Sequence, residues 1–63
     1  MNTQERAREL YESFVNGNRK LVAKEIDETP GADAIELVLA ISEHLNSSDM
    51  GLLLRLIAMR KAP

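Results

Sequence analysis

Apolar residues recur along this chain at helical spacing. Ala7, Leu10, Tyr11, Phe14 and Val15 stand at i, i+3, i+4, i+7 and i+8, which is the stripe of a helix resting on a core. Asn2, with Glu5 three residues on, suits an N-cap, so a first helix is predicted from near Thr3 to near Asn16. Gly17 can take the left-handed conformation that closes it. Asn18 can cap a second, shorter helix running to about Glu28, with Leu21, Val22 and Ile26 as its apolar side. It is the weakest of the four predicted elements. Thr29-Pro30-Gly31 forces a break, because proline lacks a donor and restricts the residue before it. A third helix then begins either with Asp33 as cap and Glu36 at the box position, or with Thr29 as cap and Pro30 as first residue. It ends near Asn46. Ser47 or Ser48 caps a fourth helix, from about Asp49 to Arg60, whose basic end suits the helix dipole. No segment alternates with period two, and the only aromatics are one Tyr and one Phe. The expected fold class is all-α: a small bundle of about four short helices in a single domain, residues 1–63. Its predicted core is Leu10, Phe14, Val22, Ile26, Val38, Ile41, Leu53 and Ile57.

The third and fourth helices carry more apolar residues than one face can hold. At about 100° per residue, Ala34, Leu37, Val38, Ile41 and Leu45 share one side of the third helix, while Ile35 and Leu39 form a second stripe away from it. In the fourth, Met50, Leu52, Leu53, Leu54, Leu56, Ile57 and Met59 cover well over half the circumference. Two readings compete. Either the first two helices wrap both and leave a few leucines exposed, or a second copy of the chain covers the remainder. The favoured expectation is a homodimer through Ile35, Leu39, Leu52, Leu56 and Met59. Arg55 and Arg60 would then form its charged rim, near Glu36 or Glu43 of the other chain.

Length sharpens that expectation. A 63-residue chain buries only about 60% of the surface its unfolded form exposes, so its stability is marginal without a staple. Cysteine is absent, which excludes disulfides and thiolate metal sites, and His44 has no second histidine to share zinc with. Oligomerisation is the staple left. The polar first residues, Met1 to Arg6, carry no signal-peptide core, and no apolar run approaches the roughly 18 residues of a membrane span. The expected setting is the cytoplasm. Asn46-Ser47-Ser48 matches a glycosylation sequon but reads better as a helix start.

Net charge is only −2, yet the charges are sorted. Glu25, Asp27, Glu28, Asp33, Glu36, Glu43 and Asp49 fall between residues 25 and 49 with no Lys or Arg among them. Arg6, Arg8, Arg19, Lys20 and Lys24 precede that segment; Arg55, Arg60 and Lys61 follow it. The segment is either a solvated face or a partner-binding patch of Glu25, Asp27, Glu28, Asp33, Glu36 and Glu43. Such a patch would select a basic or nucleic-acid-binding protein.

Catalytic chemistry finds little to build on. His44 has Glu43 beside it in sequence, but neighbouring helical positions point in different directions, and Ser47 and Ser48 are explained by capping. No glycine run cradles phosphate, and the carboxylates lack the spacing of a calcium loop. No enzyme activity, cofactor or metal is expected. The alternative is a helix-turn-helix DNA-binding regulator, with Val22 to Leu39 as the motif and Ala23 at the helix crossing. Its reading helix, however, would begin Gly31-Ala32-Asp33-Ala34-Ile35-Glu36 and carry acid toward a polyanion. Binding would fall to Arg6, Arg8, Arg19 and Lys20. In size and organisation the chain resembles the small accessory proteins of phages and mobile elements, which bind and redirect host proteins. That is a resemblance of type, and it transfers no site. The functional expectation is a small regulatory or adaptor protein that acts by protein–protein interaction.

Overall fold

The left-handed backbone of Gly17 (φ +98°) ends the first helix and starts the second in one step. In this computed structural model, which describes residues 2–62, α1 spans Thr3–Val15 and α2 spans Arg19–Asp27. The Gly17 N–H donates to the Phe14 carbonyl at 3.1 Å and the Asn18 N–H to the Ser13 carbonyl at 2.9 Å, the paired bonds of a Schellman motif. Asn18 is therefore the N-cap of α2 by backbone alone, with no side-chain bond. At the start of α1 the Asn2 side chain accepts from the Glu5 N–H at 2.8 Å, as the sequence predicts.

Two expected caps are corrected. α3 spans Gly31–Ser42 with Pro30 as its N-cap, so neither Asp33 nor Thr29 fills that place. Thr29 instead turns its hydroxyl back to the Glu25 carbonyl at 2.7 Å, satisfying an orphan acceptor at the end of α2. α3 also stops before Asn46: Ser42 donates to the Leu39 carbonyl at 2.6 Å, and the chain turns through His44 to Leu45. That early stop frees Asn46 to cap α4, Ser47–Lys61, by accepting from the Asp49 N–H at 2.8 Å. The two serines lie inside the first turn.

The shortest helix is the hub. α2 packs against α1, α3 and α4; α1 lies mainly on α3, and α4 mainly on α2. Val22, Ala23 and Ile26, all but fully buried, let three neighbours approach nine residues of helix. The weakest element by local signal is thus the one the other three share. Around it close Ala7, Leu10 and Phe14 of α1, Leu37, Ala40 and Ile41 of α3, Leu45 in the turn, and Leu53 of α4. Val38 and Ile57, expected in the core, are half-buried at its edge, because α3 and α4 share at most a marginal contact and part there. The radius of gyration, 10.6 Å, is what a well-packed chain of this length has, about 10.6 Å. Apolar side chains left outside are therefore not the result of a splayed chain.

Charge locks α4 onto α2. Asp27 accepts from Lys61 at 2.7 Å and from Arg60 at 3.3 Å. The Lys61 hydrogen bond holds the carboxyl below its ordinary value of 3.8; loss of hydration opposes that shift, and the nearby charges of Lys61 and Arg60 reinforce it. A lowered folded pKa contributes stability that is fully present above 3.8 and lost as pH falls through the folded value. The difference in thermal midpoint between wild type and Asp27→Asn should be largest near neutral pH and should close on acidification below 3.8. A gap that persists in acid would mean the pair contributes nothing.

Glycine supplies a second check. Gly51 sits inside α4 with open space where a Cβ would go, whereas Gly17 has equal space but a left-handed backbone. Gly51→Ala should raise stability by roughly 0.5–1 kcal/mol, and Gly17→Ala should lower it by about 1–2 kcal/mol. Urea unfolding midpoints shifting in opposite directions are the expected result.

Candidate interaction surfaces

Ile35 and Leu39 project from α3 with 63% and 62% of their surface exposed, and Leu54 of α4 faces them at 49%. These three, with Ala34, Val38 and Ile57, line an open apolar groove of about 390 Å³ where α3 and α4 part. The Asp27–Lys61 ion pair lies at one end of it. Glu36 and Glu43 border Leu39 on the outer side of α3, in a shallow depression shared with Thr3 and Gln4. Both are exposed, and neither forms an ion pair among the described residues.

Leu52, Leu56 and Met59 lie elsewhere. Leu56 and Met59 flank Lys20 and Ala23 of α2, and Leu52 and Leu56 line the adjoining furrow with Arg19, Lys20 and Leu21. At about 100° per residue, Leu54 and the Leu52, Leu56, Met59 stripe fall on opposite sides of α4. The five residues expected to form one interface are thus divided between two surfaces. Met59 is 65% exposed and Leu21 47%, while Leu52 and Leu56 are half-buried. Sequence reasoning passed over Leu54 and Leu21 as interface residues. A helix that is apolar nearly all round does not reveal which side its neighbour takes.

The acidic segment is likewise divided. Glu25 pairs with Arg6 at 3.4 Å and Asp27 with the end of α4, so two of the six proposed patch residues have partners within the chain. Glu28 and Asp33 border a polar hollow that also contains Asn2, Thr3 and Arg6. Of the four without an ion-pair partner among the described residues, Glu36 and Glu43 share a depression with the exposed Leu39. Of the two rim cations, Arg60 is held by Asp27, while Arg55 is exposed on α4 without an ion-pair partner among the described residues.

The N-terminal cations do not gather either. Arg6 bonds Glu25, Arg8 pairs with Glu12 on its own helix at 3.4 Å, and the Arg19 guanidinium lies 5.6 Å from the Phe14 ring centre. Arg6 and Arg8 point to opposite sides of α1. Ala23, expected at the helix crossing in the helix-turn-helix reading, is buried in the core and lies beside Leu56 of α4. The His44 ring stacks on Tyr11 with centroids 5.2 Å apart, fastening the end of α3 to α1. No group of three or more His, Asp or Glu among the described residues could hold a metal ion. No helix among them is long and apolar enough to cross a membrane. No protein-family model, curated protein or solved structure matches the chain.

Proposed function

We propose that this chain is a non-enzymatic regulatory or adaptor protein of the small accessory type, working by protein–protein contact, and that the groove between α3 and α4 is its binding surface. A cytoplasmic setting suits this reading. The observation that carries it is the exposure of Ile35 and Leu39 beside Leu54, in a bundle that is otherwise well packed. Fully burying a Leu or Ile contributes about 1.5–3 kcal/mol. Three such side chains, already partly covered, supply an amount comparable to the lower end of the association cost, about 4 kcal/mol. A productive partner must therefore fill the groove along its length, and an amphipathic helix has the shape to do so. Glu36 and Glu43 at the border favour a partner with Lys or Arg beside its apolar stripe, which accelerates encounter and fixes orientation more than it adds affinity.

Duplex DNA is the alternative, and the charge distribution weighs against it. α3 contains no Lys or Arg, whereas phosphate binding requires cations on the surface that meets the duplex. Calorimetric titration with an amphipathic helical peptide, a leucine face flanked by Lys and Arg, tests the proposal. Binding should weaken at least tenfold in Leu39→Asp and in a peptide whose flanks are Glu. A mobility shift with duplex DNA should be absent at moderate salt. Strong, salt-sensitive duplex binding without peptide binding would overturn the reading.

A further inference from the structure

The groove's complement lies on the chain itself. Across α4 from the groove, Leu21, Leu52, Leu56 and Met59 form a second apolar strip, and the charges beside it have the opposite sign. Lys20 lines both furrows there and Arg19 one of them. Arg55 adjoins Leu52 and Met59 at helical spacing, i, i+3 and i, i+4. Lys20, Arg55 and Arg19 have no ion-pair partner among the described residues, and the Arg19 guanidinium lies over the Phe14 ring. Arg60 is held by Asp27, which it shares with Lys61. One carboxylate, Asp49, sits a turn before Leu52, at the start of α4. The balance on this strip is basic, whereas the charges on the outer border of the groove, beside Leu39, are the carboxylates Glu36 and Glu43.

Building on the protein-binding reading above, we infer that the partner of the α3–α4 groove is the basic strip of a second copy, so that the chain associates head to tail. A twofold pairing of groove with groove would leave the basic strip of both copies uncovered, and a pairing of strip with strip would gather Arg19, Lys20 and Arg55 twice over. Like charges so placed oppose association. Groove against strip sets Glu36 and Glu43 against Lys20 and Arg55 and covers both apolar surfaces. Because the two surfaces differ and lie on opposite sides of α4, the contact is heterologous. It continues into a ring or an open chain rather than ending at a dimer.

Leu39 and Met59 are each more than 60% exposed, so Asp at either place blocks one surface without opening the core. In sedimentation equilibrium over tens to hundreds of micromolar, wild type should grow in mass with concentration and pass the dimer. Leu39→Asp alone and Met59→Asp alone should fall to a monomer. Mixed one to one, they should recover a dimer and nothing larger, since each supplies the surface the other lacks. The pair Glu36→Lys and Lys20→Glu repeats the test through charge: each alone weakens association, and the mixture restores it. A Met59→Asp protein that remains a dimer would overturn the inference in favour of a twofold groove contact. A wild type that stays monomeric yet binds the cationic peptide overturns self-association and leaves the protein-binding reading standing. Loss of both overturns both.

Discussion

The packing of α2 against every other helix is the constraint on which the rest of the structure depends. Nine residues offer Val22, Ala23 and Ile26 to three neighbours, and side chains this small and branched let those neighbours come close. α1 packs on both α2 and α3 while α4 packs mainly on α2, so α3 and α4 meet at most marginally. The groove between them, with Val38 and Ile57 only half-buried along it, follows from that geometry. In this chain, Thr29 and Pro30 end α2 and fix where α3 departs.

Electrostatics follows the same division. The carboxylates nearest the hub serve the fold: Glu25 ties α1 to α2 through Arg6, and Asp27 ties α4 to α2 through Lys61 and Arg60. Those farther out, Glu36 and Glu43, lie beside exposed apolar side chains. A linear run of acid in the sequence is thus divided: Glu25 and Asp27 are paired within the fold, Glu28 and Asp33 border a polar hollow, and Glu36 and Glu43 lie exposed beside Leu39. A surface ion pair contributes little to stability, about 0 to 1 kcal/mol, so what the inner pairs supply is chiefly the orientation of helices that hydrophobic burial already holds.

The bundle itself was legible because periodicity reports burial directly: Leu10, Phe14, Val22, Ile26, Ile41 and Leu53 all lie in the core. Ala7, Ala23 and Ala40 are equally buried, but alanine suits a helix in any environment and so gives no sign of where helices touch. Asn46 lost the capping assignment to Ser47 and Ser48 because all three suit the position, and only the early end of α3 decides among them. The surfaces were half legible. Ile35 and Leu39 stood out as a stripe with no place in the core, and they are exposed. The fourth helix gave no such sign, since Leu52, Leu53 and Leu54 point in three directions and sequence does not say which of them meets α2. That single unknown merged two surfaces of opposite charge into one.

The central claim is that the exposed apolar residues of the groove and of the strip are interaction surfaces rather than tolerated exposure. Methyl-resolved NMR across a concentration series tests it most directly, with Val15 as an internal control: it is 53% exposed but lies on neither surface. The account predicts that the methyls of Ile35, Leu39 and Leu54 shift together with those of Leu52, Leu56 and Met59 as concentration rises, while Val15 stays fixed. Methyl positions that do not move at any concentration, or that all move alike with Val15 among them, would contradict it.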